Sequence, residues 1–155
     1  MTKQSDNTCL NKLIANQNTV LLDNATDVSV TYAAATTGKL ATGTFKIADV
    51  TGVIAVQIFG VCGTNLAGAT ATLEVGTATS TAALIAQTTA TDIDANEIWH
   101  DASPDATVEL DSVITTKIVT EDINYVVGTA DITAGEITFY IRWSPISEDG
   151  TLTLA

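Results

Sequence analysis

The sequence is poor in positive charge, and the few basic residues are not grouped. Six lysines and arginines stand against eighteen aspartates and glutamates, which gives a formal net charge of −12. Contacts to a nucleic-acid backbone need clustered lysine and arginine side chains. The six basic residues are instead scattered along the chain. We therefore expect no nucleic-acid partner.

Long apolar runs are also missing. No stretch approaches the roughly 20 consecutive apolar residues that cross a membrane as a helix. The first twelve residues are polar and lack the apolar core of a secretion signal. The sequence thus predicts no membrane association, and synthesis in a cytoplasm without an export signal.

Motifs of familiar enzyme classes are missing as well. The sequence has no G-x-S-x-G, no H-E-x-x-H, no P-loop and no G-x-G-x-x-G. His100 is the single histidine and has no serine or cysteine motif beside it, which is more typical of a structural residue than of a general base. We predict that the protein is not an enzyme and uses no cofactor.

Only two cysteines are present, Cys9 and Cys62, and their separation matches neither a zinc motif nor a redox motif. Cys62 follows the apolar run VIAVQIFGV, which favours a buried free thiol. A Cys9–Cys62 disulfide is the alternative and would need an oxidising compartment.

Threonine and alanine dominate what is present, with 28 and 22 residues. Threonine is β-branched and suits a pleated, half-exposed surface, while alanine lets sheets pack closely. The hydrophobic fraction of 46% argues against a disordered chain, and 155 residues suit a single domain. The composition therefore indicates an all-β domain.

About nine short segments with strand character are separated by turn residues, without a strong helical period. We predict an antiparallel β-sandwich, jelly-roll-like, formed by residues 17–155, with an extended N-terminal arm at residues 1–16. Strand candidates 18–23 and 27–33 lie on either side of a turn. The run 52–61 is apolar on both faces, which predicts a strand covered on both sides by the domain itself, by the arm or by a neighbouring subunit. A glycine-rich turn at 62–69 should join it in a hairpin to strand 70–77.

The segment TDIDANEIWHD is the most polar long stretch and holds several carboxylates. Oxygen ligands of this kind suit calcium, but the glycine and the spacing of an EF-hand loop are absent. We predict a solvated acidic loop and no metal, with weak candidate ligands at Asp92, Asp94, Glu97 and Asp101. Trp99 in this segment is predicted to pack in the core or against another subunit, and a stacking platform for a sugar is the alternative.

The stretch from Glu136 to Trp143 alternates between two faces. Ile137, Phe139, Ile141 and Trp143 share one face, which predicts a core-facing row. Tyr140 and Arg142 share the other face with Glu136 and Thr138. Arg142, the only arginine, should pair with a carboxylate, either across the strands or on a neighbouring subunit. Arg142, Tyr140 and Trp99 are therefore the interface candidates, and Pro145 should end the strand.

Two regions of the chain carry a recognisable pattern: residues 42–77, TGTFKIADVTGVIAVQIFGVCGTNLAGATATLEVGT, and residues 132–155, ITAGEITFYIRWSPISEDGTLTLA. This pattern resembles that of small virion structural proteins of tailed bacteriophages. The positions that match are Gly52, Val56, Ile58, Gly60, Ala69, Thr70, Leu73, Gly76, Gly135, Ile137, Phe139, Trp143, Pro145 and Gly150.

The resemblance implies a capsid decoration (cement) protein or minor head protein, located in the virion. Its expected partners are itself, as a homotrimer, and the major capsid protein. Another virion component, such as a tail, baseplate or fibre-base protein, is one alternative. A carbohydrate-binding β-sandwich that uses Trp99 or Trp143, and a calcium-stabilised adhesion module, are alternatives of a different class.

Overall fold

The computed structural model describes residues 25–36, 38–104 and 106–155. The predicted arm at 1–16, the strand candidate 18–23 and Cys9 lie outside the described residues. The described chain forms two antiparallel sheets of five strands each. Within these three ranges, no helix is both long and apolar enough to cross a membrane.

Ten strands make up the described part of the chain. They are β1 (Thr26–Ala33), β2 (Gly43–Thr51), β3 (Ile54–Ala67), β4 (Thr72–Gly76), β5 (Ile85–Thr89), β6 (Ile98–Trp99), β7 (Lys117–Val119), β8 (Ile123–Gly128), β9 (Ala134–Pro145) and β10 (Thr151–Leu154). Single 3₁₀ turns lie at Ala90–Asp92 and Asp111–Val113.

The strand order is that of a jelly roll. The first sheet has the order β1-β9-β3-β6, with β7 also paired to β3, and the second has the order β10-β2-β8-β4-β5. The strands β6 and β7 pair with different parts of β3, so they occupy one position in the sheet. Counted as one strand, they complete the eight strands of two Greek keys, and β10 adds a further edge strand to the second sheet. The predicted antiparallel, jelly-roll-like sandwich is confirmed.

The alternation in β9 builds one side of the core. Ile137, Phe139 and Ile141 are buried, as predicted, and face Tyr125 of β8, whose ring centroid lies 5.8 Å from that of Phe139. Trp143 is partly buried and packs against the same core. Their alternation follows from the two-residue period of an extended strand.

The two-sided apolar strand is β3, which lies in the middle of the first sheet. Ile54, Val56 and Ile58 are buried in the core. On the opposite face Ala55 is fully buried, and half-buried Phe59 lines a groove together with Ile114. Part of the outer face of β3 is therefore covered by the domain itself, which is one of the three possibilities predicted for this strand.

The predicted hairpin between residues 52–61 and 70–77 is wrong. The strand β3 continues to Ala67, through most of the predicted glycine-rich turn, and β4 belongs to the second sheet. A turn closed by a hydrogen bond from Ala71 N to Gly68 O carries the chain from one sheet to the other. Gly68 has φ +153 and lies so close to Asp131 O that an added Cβ would be 2.7 Å from it.

Three further segments differ from the sequence interpretation or complete it. Residues 107–143 contain the three strands β7, β8 and β9. The apolar run around Leu84 and Ile85 leads into β5, which is followed by a 3₁₀ turn. Pro145 is the last residue of β9, in agreement with its predicted role, and the chain ends in a further strand, β10.

Candidate interaction surface

A groove crosses the outer face of the first sheet. Strands β1, β3 and β9 form its floor, and residues 111–114 form its wall. Its volume is about 310 Å³. The side chains that line it include Asp27, Gln57, Phe59, Asp111, Ile114, Tyr140 and Arg142. Two of the three interface candidates, Tyr140 and Arg142, thus lie together in this groove.

An aromatic pair forms the apolar part of the groove floor. Phe59 and Tyr140 are register partners on β3 and β9, and their rings stack with centroids 5.4 Å apart and an interplanar angle of 16°. Tyr140 is 43% exposed. A stacked pair of this kind offers a rigid apolar surface with a hydroxyl at its edge, which is the character of aromatic side chains at protein interfaces.

Arg142 makes a two-point ion pair with Asp27 across β9 and β1. Its Nε donates to Oδ1 at 2.8 Å and its Nη2 donates to Oδ2 at 3.2 Å. The hydrogen bond from Arg142 lowers the pKa of Asp27, and the same bond raises the pKa of Arg142. Both side chains are at least half exposed, so the pair contributes little to stability in water. The cross-strand pairing that the sequence allowed is present within one chain, and the intersubunit pairing stays a prediction.

Hydrogen bonds join the wall of the groove to its floor, and others lie within the wall. Gln57 Nε2 donates to Ile114 O at 2.8 Å. Within the wall, Val113 N donates to Leu110 O at 3.0 Å and Ile114 N donates to Asp111 O at 3.2 Å. These bonds close the 3₁₀ turn and hold residues 110–114 against the sheet.

Residues 108–118 include the wall and reach into β7, and they expose several apolar side chains. We call these side chains the apolar ridge: Val108, Leu110, Val113 and Ile118. Leu110 is 71% exposed and Ile118 is 51% exposed. Single exposed apolar residues are ordinary, and several along one short segment make that segment a candidate contact surface. The sequence interpretation did not identify this ridge. In the sequence these apolar residues are separated by polar ones, a pattern that a half-buried strand also shows.

Trp99 lies in the core. The side chain has no exposed surface, its Nε1 donates to Thr88 Oγ1 at 2.8 Å, and its ring centroid lies 6.2 Å from that of Phe139. This position corrects the interface role considered for Trp99, because a buried ring can contact neither a subunit nor a sugar. The sequence did not reveal the burial of Trp99, because the residues on either side are polar and the strand here is only two residues long.

The four weak metal candidates lie in a polar loop and are not gathered around one point. Asp94 Oδ1 accepts a hydrogen bond from Asn65 Nδ2 at 2.8 Å, and Glu97 Oε2 accepts one from Asp94 N at 2.8 Å. Asp101 Oδ1 accepts one from Ser103 N at 2.8 Å, and Asp92 is exposed at the end of a 3₁₀ turn. In the residues that the structure describes, no three side chains of the metal-binding types are grouped.

His100 lies between two carboxylates at the base of the ridge. Its Nε2 is 3.4 Å from Glu109 Oε1 and its Nδ1 is 3.8 Å from Asp101 Oδ2. The imidazole side chain is only 11% exposed. This arrangement connects the end of β6 to the segment that carries the apolar ridge, which is a structural role.

The sequence matches no protein-family model and no curated protein. Among solved structures, a chain of the acidic stable capsid structure of Helicobacter pylori bacteriophage KHP30 is similar to this one. The two chains are 11% identical with a TM-score of 0.45, and the similarity covers 83% of this chain and 92% of that chain. A similarity of this degree assigns neither a family nor a function.

Proposed function

We propose that this chain is a non-enzymatic structural protein of a tailed-phage virion, and specifically a decoration protein that reinforces the head by bridging capsomers. On this proposal it assembles with itself, as a trimer, and binds the major capsid protein. The resemblance of residues 42–77 and 132–155 to small phage virion proteins supports this proposal.

The observation that carries the proposal is the outer face of the first sheet. A groove with a stacked aromatic pair lies next to the exposed apolar ridge. Aromatic residues and arginine are enriched at protein interfaces, and exposed apolar surface is their usual core. A jelly-roll face of this composition suits a protein that works by contact with other proteins.

The burial of Trp99 argues against the carbohydrate-binding alternative, which relied on this residue first. Trp99 is fully buried, so its indole offers no open face for a sugar ring, and Trp143 is partly buried with its side chain packed against the core. A tail, baseplate or fibre-base protein could use the same surface, and copy number separates that alternative from decoration.

Quantitative mass spectrometry of purified particles tests the proposal. Hundreds of copies per particle, with the chain located on the head by electron microscopy, are the expected result. A few copies or tens of copies located on the tail would support the other virion role. Absence of the chain from particles would refute both. Sedimentation velocity of the purified chain tests the trimer separately.

A further inference from the structure

The apolar ridge is bordered by three hollows that carry carboxylates. The groove already described holds Asp111, together with Asp27, whose charge is paired with Arg142. A second hollow of about 480 Å³, beside Val113, is lined by Asp101 and Glu109. A third hollow of about 220 Å³, beside Ile118, is lined by Glu121. Each of the three hollows beside the ridge thus carries at least one acidic side chain.

The lysine and the arginine in the same hollows are already engaged within the chain. Arg142 is held by the two oxygens of Asp27. Lys117 Nζ donates to Ala83 O at 2.5 Å and to Leu84 O at 3.0 Å. Burial lowers the pKa of Lys117. In the three hollows the carboxylates that are not paired with a lysine or arginine therefore outnumber the remaining ammonium, Lys117; they are Asp101, Glu109, Asp111 and Glu121.

The ridge is held in shape before any partner arrives. Ile98 N donates to Ala106 O at 2.9 Å, and Gln57 Nε2 binds Ile114 O at 2.8 Å. His100 lies 3.4 Å from Glu109 between these two points. A surface that needs little ordering on binding keeps more of its contact energy as affinity.

We infer that the apolar ridge docks a partner protein whose surface is apolar at its centre and carries lysine or arginine around that centre. The inference rests on the proposed function, in which the partner surface belongs to the capsid shell. A second copy of this chain fits poorly at the ridge, because it would bring carboxylates against carboxylates, and like charges oppose association. Self-assembly then uses a different surface.

The experiment measures binding of the purified chain to particles of the phage that encodes it, produced with its gene deleted. The test variant is Leu110→Ser combined with Ile118→Ser, which removes exposed apolar surface without adding charge. The matched control is Ile146→Ser combined with Leu154→Ser, two exposed apolar residues outside the ridge. We expect at least a tenfold loss of affinity for the test variant and less than a twofold change for the control. Thermal unfolding verifies that both variants fold.

Salt and charge variants test the acidic border. Affinity for the particles should fall as sodium chloride is raised, and Asp111→Asn should weaken binding and reduce this salt dependence. Glu148→Gln, an exposed acidic residue outside the three hollows, should change neither. Affinity that does not depend on salt would overturn the basic border assigned to the partner.

The outcomes separate the two proposals. If the unmodified chain does not bind the particles, the proposed function fails and this inference fails with it. If the unmodified chain binds and the ridge variant binds equally well, the inference is overturned while the proposed function stands. If the ridge variant instead loses self-association in sedimentation, the ridge joins copies of this chain, and the inference is likewise overturned.

Discussion

Trp99 of the first sheet and Thr88 of the second are joined by a buried hydrogen bond, in which Nε1 donates to Oγ1 at 2.8 Å. The threonine hydroxyl has carbonyl acceptors at Ala86 O, 3.1 Å away, and Asp101 O, 3.2 Å away. The indole N–H is therefore satisfied inside the core by the strand that faces it. This bond links the two sheets at β6, a strand of only two residues.

Thr88→Val should destabilise the protein although it keeps the shape of the side chain. The valine leaves the indole N–H without an acceptor, and an unsatisfied buried donor costs about 1–3 kcal/mol. Chemical unfolding measures the loss. Thr153→Val, an exposed threonine on β10, is the matched control and should change the free energy of unfolding by less than about 0.5 kcal/mol. Equal losses for the two variants would show that the bond is unimportant.

Stability should fall in acid, in part through Asp122. Its carboxylate lies 2.7 Å from Lys46 Nζ and accepts a hydrogen bond from Val50 N at 2.9 Å. The bond from Lys46 lowers the pKa of Asp122 below that of an ordinary carboxyl. A lowered pKa in the folded state means that the unfolded chain binds the proton first. The contribution is therefore full above the ordinary carboxyl range and is lost as pH falls through the lowered pKa.

The measurement is the free energy of unfolding between pH 6 and pH 2 for the unmodified chain and for Asp122→Asn. The variant should be less stable at pH 6 and should lose less on acidification. Glu148→Gln has the same net charge as the variant and should follow the pH profile of the unmodified chain more closely. A profile for Asp122→Asn that runs parallel to the unmodified one would contradict the assignment.

Cys62 should resist thiol reagents while the protein is folded. Its side chain is 1% exposed, and Sγ lies 3.1 Å from Thr64 O and 3.4 Å from Ile93 O. Burial raises the pKa of this thiol, which keeps it protonated and unreactive at neutral pH. In a Cys9→Ser background, a chromogenic disulfide should react slowly without denaturant and completely in guanidinium chloride. Rapid reaction of the folded protein would refute the buried position.

Gly60 leaves room for the buried tryptophan, so Gly60→Val should destabilise the sandwich. A Cβ at this position would lie 2.8 Å from Ile137 Cδ1 and 3.3 Å from Trp99 Cε3. Overfilling a packed core typically costs about 1–3 kcal/mol. Gly63→Val, on the exposed side of β3 where Glu136 can move away, is the control. Thermal unfolding should separate the two variants, and equal melting temperatures would argue against tight packing at Gly60.

The sequence predicts the parts of the fold that depend on local pattern. The faces of β9 follow from alternation, because successive side chains of a strand point to opposite sides. The pairing of strands does not follow, because it depends on residues far apart in the chain. The hairpin expected between β3 and β4 is the example: adjacency in sequence suggested it, and the two strands lie in different sheets.

In the candidate surface, too, local alternation predicts some residues while others depend on contacts between distant parts of the chain. Tyr140 and Arg142 could be placed on the outer face from alternation alone, and they line the groove. Trp99 could not be placed, since its burial depends on Thr88 and Phe139 approaching from other strands. The apolar ridge was not predicted either, because an apolar residue in a loop is recognised as exposed only when the rest of the fold leaves it uncovered.

The pairing of β1 with β9 also sets the order of events in folding. Thr26 is opposite Trp143 and Ala33 is opposite Glu136, so the first described strand gains its only described partner from near the C-terminal end of the chain. Pairings between such distant segments carry a large loop-closure cost and make folding slow. On a ribosome, the first sheet cannot close until β9 has emerged, so β1 waits through most of synthesis for the partner strand that the structure describes.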